Sequence, residues 1–87
     1  MATGTIKKSD FIYAGGYATG TNCNNIPLNS FGLVWASATN SPGFLGIIFC
    51  VGTANDIRQL AFSTVVGQAS TQVKSRRYAD GTWSSWV

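Results

Sequence analysis

The 87-residue sequence predicts a small all-β domain, a compact, sandwich-like fold made of mostly antiparallel strands. Ten glycines and an aromatic content of 13% are typical of short strands joined by tight turns. Several stretches alternate apolar and polar residues with the period of a strand. Hydrophobic residues make up 45% of the chain and charged residues only 10%, which indicates one folded domain rather than a disordered tail.

The first two predicted strands span residues 31–37 and 44–51. In the first, Phe31, Leu33 and Trp35 share one face, which we expect to pack on the core. The second is apolar on both faces and is flanked by glycine, which favours a central buried strand.

Two further strands are predicted at residues 57–65 and 71–78. Within the first of them, alternation places Leu60 and Phe62 on one side and Gln59, Ala61 and Ser63 on the other. The second is more polar and suits an edge position, where charge discourages further pairing.

The segments between and beyond these strands complete the domain. Residues 15–25 are rich in Gly and Asn and predict a loop, and Asp80-Gly81 predicts a hairpin turn. Two tryptophans in the stretch 83–87 predict a docked carboxy terminus, because large aromatic side chains contribute nothing on a frayed tail. Residues 1–9 are interpreted as a leader or the end of a linker or shaft, and residues 10–87 as the single domain.

The composition argues against an enzyme. The chain contains neither His nor Glu, and its only carboxylate side chains are those of Asp10, Asp56 and Asp80. General acid–base catalysis therefore has almost nothing to use, and a binding or structural module is expected. Asp56 and Asp80 lie in turn sequences, where capping is the ordinary role.

The two cysteines do not form a metal-binding pattern. No CxxC spacing exists, and without His the two thiols are too few for a zinc site. No metal and no cofactor are therefore expected. Cys50 lies in an apolar run and is interpreted as a buried free thiol, whereas Cys23 lies among asparagines in a loop. A bridge between them is not required by the sequence, and both states remain open.

The net charge of +3 is low for a protein that binds nucleic acid through phosphates. The longest apolar run, residues 44–51, is far shorter than the roughly 18 residues that a membrane-spanning helix requires. Neither a membrane span nor nucleic acid as the main partner is expected. A domain of this size buries only about 60 to 65% of its unfolded surface, so we expect its margin of stability to depend on a partner.

Several short motifs resemble the knob domains of pyocin and phage tail fibres. The most specific is the carboxy-terminal portion, an arginine-rich strand followed by a Gly turn and a Trp-Ser-Ser-Trp ending. Earlier pieces match more weakly, and the resemblance spans about residues 9–87. The matching motifs are Asp10 before an apolar pair, Gly16-Tyr17, Asn25-Ile26-Pro27, Gly32-Leu33-Val34-Trp35, Arg58-Gln59-Leu60-Ala61-Phe62 and Arg76-Arg77-Tyr78-Ala79-Asp80-Gly81-Thr82-Trp83-Ser84-Ser85-Trp86.

The resemblance implies a homotrimeric, non-enzymatic receptor-binding tip at or near the end of a tail fibre. Such a tip attaches a phage or phage-like particle to bacterial surface saccharide, for instance lipopolysaccharide. It is made in the host cytoplasm and acts extracellularly on the virion. Two other functions stay open: a structural cap that keeps a trimeric shaft in register without any ligand, and a small nucleic-acid-binding β domain that uses residues 74–83.

The Asn-rich loop provides one set of candidate ligand contacts. Amide side chains donate to and accept from sugar hydroxyls, and tyrosines lie nearby in sequence. Turn formation explains the asparagines equally simply. The candidates in this set are Tyr13, Tyr17, Asn22, Asn24 and Asn25.

A second set lies in the carboxy-terminal part, with Arg76, Tyr78 and Trp83 as candidates and Lys74 and Arg77 beside them. Arginines form bidentate contacts with phosphates and carboxylates, and bases stack on aromatic rings. The set fits an anionic saccharide, a single-stranded nucleic acid or a solvated edge strand. Alternation places Arg77 on the opposite face, where pairing with an Asp is expected.

The tryptophans allow two interpretations. Trp83 and Trp86 fit a platform for sugar stacking, but packing also explains them. Trp35 is predicted to lie in the core.

Overall fold

The computed structural model describes residues 11–64 and 71–87. These residues form an all-β fold, as predicted, with all strands in one six-stranded sheet. The strands are β1 (Ile12–Tyr17), β2 (Ser30–Val34), β3 (Gly46–Thr53), β4 (Asp56–Ser63), β5 (Val73–Ala79) and β6 (Thr82–Trp83), and a 3₁₀ turn spans Cys23–Asn25. The predicted segment 1–9, Asp10 and Val65 lie outside the described residues.

The sheet follows the order of the chain. From β2 to β6 each strand is antiparallel to the next, while β1 pairs with β2 in parallel. The predicted loop at 15–25 begins later than expected, because β1 continues through Gly15 and Gly16 to Tyr17 with a shift in register. The prediction of an edge position for residues 71–78 is wrong, since β5 lies between β4 and β6.

Glycine permits positive φ at two places where strands end. Asp80 and Gly81 both adopt positive φ, 53° and 78°, which matches the two-residue hairpin turn that Asp-Gly favours. Near the end of β3, Gly52 has a φ of 133° and donates its backbone N–H to the Asn29 side chain at 3.2 Å.

One face of the sheet, here the covered face, packs against the connections that follow β1 and β2. Four buried residues come from the sheet and four from those connections. The sheet contributes Val34, Ile48, Cys50 and Ala61, and the connections contribute Cys23, Ile26, Ala38 and Phe44. Backbone hydrogen bonds join the two connections, with Cys23 N donating to Thr39 O at 3.0 Å and Thr39 N to Thr21 O at 2.8 Å.

The opposite face, here the open face, carries larger apolar side chains. By register and alternation it consists of Tyr13, Phe31, Leu33, Ile47, Phe49, Val51, Leu60, Phe62 and Val73. Exposure is 38% at Leu33, 44% at Leu60 and 61% at Val73. Ring-to-ring distances of 5.6, 6.0 and 5.9 Å join Phe11 to Phe31, Phe31 to Phe49 and Phe49 to Phe62.

The expected core face of the first predicted strand is therefore wrong. Phe31 and Leu33 do share a face, but it is the open one, and Trp35 follows the end of β2 with 39% exposure. The covered face of β2 instead carries Ser30, Gly32 and Val34. Gly32 has no room for a side chain on this face, because a Cβ atom there would lie 2.6 Å from the Gly15 carbonyl oxygen of the neighbouring strand β1.

Gly46 provides a test of the β3–β4 packing. A Cβ atom at this position would overlap the Phe62 carbonyl oxygen on the neighbouring strand, and backbone moves less readily than a side chain. We expect Gly46→Ala to lower the free energy of unfolding by about 2 to 3 kcal/mol in urea titrations. Gly16→Ala is the control, because its Cβ meets only the Trp35 ring, at 2.9 Å, and we expect less than about 1 kcal/mol there. Equal losses in the two variants would contradict the close packing of β3 on β4.

Candidate functional site

A buried arginine organises the carboxy-terminal part of the molecule. Lys74, Arg76 and Tyr78 alternate along β5 and face the covered side of the sheet, which confirms that they share one face. Arg76 is only 5% exposed. The Arg76 side chain is therefore neither solvated nor freely accessible. The interpretation of Arg76 as a surface contact for anions is wrong.

Amide groups bind the guanidinium. Arg76 Nε donates to Gln59 Oε1 at 2.8 Å, and Nη2 donates to Asn24 Oδ1 at 2.7 Å. Gln59 is itself fully buried, and its Nε2 donates to the Cys23 carbonyl at 2.7 Å. Among residues 11–64 and 71–87, no carboxylate lies within ion-pair distance of Arg76. Its charge is therefore balanced by dipoles rather than by an anion.

Two tryptophan rings contact the same guanidinium. Arg76 Cζ lies 3.9 Å from the ring centroid of Trp83 and 5.0 Å from that of Trp86. Cation–π attraction at such distances stabilises a desolvated cation by roughly 2 kcal/mol. The two rings thus supply much of the favourable electrostatics that a missing carboxylate would otherwise provide.

The tryptophans hold this position because the chain end is docked, as the sequence predicted. Trp86 Nε1 donates to the Asn40 carbonyl at 2.9 Å. Ser75 and Val87 exchange both backbone hydrogen bonds at 2.9 Å, which extends the pairing along β5. The segment 84–87 therefore continues the sheet edge beyond β6.

Burial governs the ionisation of this region. It lowers the pKa of the Arg76 guanidinium from its ordinary value, although an arginine side chain in a protein stays charged at neutral pH. Burial raises the pKa of both thiols, Cys23 and Cys50, which are free and protonated at neutral pH. The prediction of a buried free thiol at Cys50 is confirmed, and Cys23 is equally buried.

The asparagines play different roles. Asn22 caps the 3₁₀ turn, because its Oδ1 accepts from Asn24 N at 2.9 Å and from Asn40 Nδ2 at 3.0 Å. Asn24 instead binds Arg76, and Asn25 is exposed, with its backbone N–H bonded to Asn22 O. Turn formation thus explains Asn22, while Asn24 and Asn25 lie where the turn meets β5.

The aromatic candidates separate into two groups. Tyr78 and Trp83 pair across the β5–β6 hairpin with ring centroids 5.3 Å apart, and both are partly exposed. Tyr13 lies on the open face, 5.5 Å from Phe31, and Tyr17 packs against the core, where burial raises the pKa of its hydroxyl. The structure therefore unites four predicted site residues and leaves both tyrosines of β1 elsewhere. These four and two others form what we call the Arg76 cluster: Asn24, Gln59, Arg76, Tyr78, Trp83 and Trp86.

The remaining cations of β5 do not extend this cluster. Lys74 Nζ donates to the Pro42 carbonyl at 3.2 Å. Arg77 points to the opposite face and pairs with Asp56 at 3.2 Å, which confirms the predicted pairing with an Asp. Asp56 thus binds guanidinium groups and starts β4, instead of only capping a turn. The three cations occupy three separate environments, and no continuous basic groove runs through residues 74–83.

Gln59 is the member of the cluster that the sequence did not mark as functional. Its position on the face of the strand that does not carry Leu60 was predicted. A glutamine in an alternating strand, however, is ordinarily expected on the solvated face. The available signal was its sharing of a face with Ala61 and Ser63, small residues that permit close packing. Trp86 was identified only together with Trp83.

Comparison with known proteins adds no relative. No family model, no curated protein and no solved structure matches this chain. Within the described ranges, no helix has the length and apolar character to cross a bilayer. What the Arg76 cluster does must therefore be inferred from its own geometry.

Substitution of Arg76 tests how much the cluster contributes to the free energy of unfolding. We expect Arg76→Lys to lower the free energy of unfolding by about 2 to 3 kcal/mol, because an ammonium reproduces neither the planar contact with tryptophan nor the fork that binds two amides. Arg77→Lys, one residue along the same strand, is the matched control, and we expect a change of less than about 1 kcal/mol from its half-exposed ion pair. Urea titrations followed by tryptophan fluorescence measure both, and equal losses would show that the cluster does not hold Arg76 specifically.

Proposed function

We propose that this chain is the receptor-binding tip of a phage or phage-like tail fibre, a non-enzymatic domain that binds bacterial surface saccharide as a homotrimer. The observation that carries the binding function is the Arg76 cluster, in which the Tyr78–Trp83 ring pair and the exposed Asn24 amide lie around the Arg76 guanidinium. The resemblance of the segment 76–86 to tail-fibre knobs supports the biological setting. As part of the virion, the tip then attaches to the host from outside the cell.

The chemistry of the cluster suits a sugar. Tyr78 and Trp83 are partly exposed and present apolar ring faces, on which the apolar side of a pyranose can stack. Asn24, which is bonded to Arg76, and the adjacent Asn25 are exposed and supply amide groups that donate to and accept from hydroxyls. Arg76 fixes the Asn24 amide through its 2.7 Å hydrogen bond, so one polar group of the site is oriented before a ligand arrives.

The open face supports assembly from several copies. Its nine apolar side chains come from β1 to β5, and the charged residues of the same sheet side, Asp56, Arg58 and Arg77, lie beyond its margin. Within residues 11–64 and 71–87, Phe44 is the one buried aromatic side chain of the core, whereas several aromatic rings lie on the open face. Burial of apolar surface releases about 25 cal/mol per Å². Packing three open faces around an axis through their β1 and β2 sides, with Val51 and Leu60 left outside the contact, therefore provides the stability that one small core lacks.

Nucleic-acid binding is a weaker interpretation of the same residues. A stacking groove requires cations that reach phosphates along a strand. Arg76 is buried in its amide and tryptophan contacts, and Arg77 is paired with Asp56 on the other face. The segment 74–83 therefore offers aromatic rings without a track of available charge.

The assembly is tested by light scattering coupled to size exclusion. We expect a particle of about three times the 9.2 kDa chain mass, stable on tenfold dilution. We expect Leu33→Lys to yield monomer, because an ammonium in an apolar interface lacks a partner. Leu28→Lys is the control, since Leu28 is 39% exposed in a loop and Leu33 is 38% exposed on the open face. A monomeric parent protein, or a trimer that survives Leu33→Lys, would contradict assembly through this face.

Saccharide binding is tested on bacteria. We expect the fluorescently labelled protein to stain a subset of a broad strain panel and to be displaced by surface glycan purified from a stained strain. We expect Tyr78→Ala to raise the half-saturating concentration at least about tenfold, as the loss of one stacking ring implies. Leu28→Ala removes an exposed apolar side chain that does not belong to the cluster and should leave staining unchanged. The absence of staining across the panel would favour a trimer-capping domain without a ligand.

A further inference from the structure

A pocket of about 410 Å³ lies on the side of the sheet opposite the covered face, where β4, β5 and the segment 84–87 meet. Its wall and floor include Val51 and Leu60 of the open face and the side chains of Arg58, Arg77 and Ser84. The volume falls within the range of about 300 to 1,000 Å³ that small-molecule sites occupy. Gln59 and Arg76 of the Arg76 cluster also line the pocket, whereas the aromatic residues of the cluster do not.

The charges of this pocket are unbalanced. Arg58 and Arg77 are direct cross-strand partners, and like charges in that arrangement destabilise a sheet. Asp56 is the carboxylate paired with both, at 3.6 Å from Arg58 Nε and 3.2 Å from Arg77 Nε. Counting side chains, Arg58 and Arg77 against Asp56 leave one positive charge in excess, beside Val87, which also lines the pocket. An incoming anion therefore finds both a net positive charge and planar donor groups that suit bidentate contacts.

The two arginines are also accessible. The Arg58 side chain is 60% exposed and that of Arg77 is 50% exposed, in contrast to the buried Arg76. Arg77 directs Nε and Nη2 toward Asp56, and Arg58 contacts it through Nε, so guanidinium edges of both remain turned away from that carboxylate. Beside them, Val51 and Leu60 are 40% and 44% exposed and provide an apolar floor.

We propose that this pocket binds an acidic sugar, that is, a pyranose that carries a carboxylate or a phosphomonoester. The anionic group lies between Arg58 and Arg77, and the apolar side of the ring lies on Val51 and Leu60. The choice of a saccharide as the carrier of the anion rests on the proposed function, whereas the anion preference rests on the pocket alone. Both anionic groups occur on sugars, and their shared chemistry is what the two guanidinium groups recognise.

The same charges argue against a polynucleotide in this pocket. Non-specific nucleic-acid binding draws on many cations along one path, and its affinity falls steeply with salt. Here one of two arginine charges is already offset by Asp56, Lys74 lies on the other face of the sheet and Arg76 is buried. One site for one anion is what the geometry provides.

The test is an NMR titration of the ¹⁵N-labelled full chain with methyl glucuronide, glucose 6-phosphate, methyl glucoside, inorganic phosphate and an oligothymidylate. We expect saturable shifts at Arg58, Arg77 and Ser84 with one or both acidic sugars, and none with the neutral glucoside. Comparing glucuronide with the sugar phosphate identifies the preferred anionic group. We expect Arg77→Gln to weaken binding at least about tenfold, while Lys74→Gln, which removes one charge on the other face, changes it less than twofold.

Three results would overturn the pocket: equal binding of methyl glucoside, inorganic phosphate binding as tightly as the sugar phosphate, or stronger binding of oligothymidylate with a steep salt dependence. Shifts confined to Asn24, Tyr78 and Trp83 would also overturn it, while leaving the proposed saccharide function in place. Conversely, acidic-sugar binding at Arg58 and Arg77 by a protein that stains no bacterial strain supports the pocket and overturns the receptor-binding function. Failure of one is therefore distinguishable from failure of the other.

Discussion

The burial of Arg76 without a carboxylate constrains the rest of the structure. A desolvated guanidinium is costly unless its donors and its charge are satisfied. Here satisfaction requires Gln59 from β4, Asn24 from the 3₁₀ turn and two tryptophans from the carboxy-terminal segment. Four separate parts of the chain must therefore be in place together, and the loop that carries Asn24 and Asn25 acquires a fixed position against the sheet.

The two faces of the sheet divide the chemistry of the molecule. Small residues and a polar network fill the covered face, where Ser30, Gln59 and Arg76 are buried together with the two thiols. The open face carries the larger apolar side chains and ends, at its β5 side, in the Arg58–Asp56–Arg77 ion pairs. The proposed assembly uses one side of the sheet and the Arg76 cluster lies on the other, so the proposed trimer contact leaves the aromatic residues of the cluster accessible.

Local patterns predicted the fold class, the Asp80-Gly81 turn, the docked carboxy terminus and the pairing of Arg77 with an Asp, because each depends on short-range geometry. The orientation of β2 was not predictable in the same way. Phe31, Leu33 and Trp35 have the period of a core face, but the covered side is decided by how closely distant connections approach the sheet. The burial of Arg76 likewise depends on Asn24, 52 residues away, and on Gln59, which no local pattern marks as its partner. Of the candidate site, Asn24, Arg76, Tyr78 and Trp83 were therefore predictable, whereas Gln59 and the grouping of these residues were not.

The contacts around Arg76 join residues that are far apart in the sequence, and this separation affects the order of folding. The β3–β4 hairpin closes over two residues, whereas the Arg76–Asn24 and Trp86–Asn40 hydrogen bonds close over 52 and 46 residues. Loop closure entropy delays contacts between distant parts of the chain, so the central hairpins form before the 3₁₀ turn and the chain end join them. Contacts made after the transition state act mainly on the unfolding rate. The contacts of the buried Arg76 therefore slow the unfolding of the finished domain without raising its folding rate.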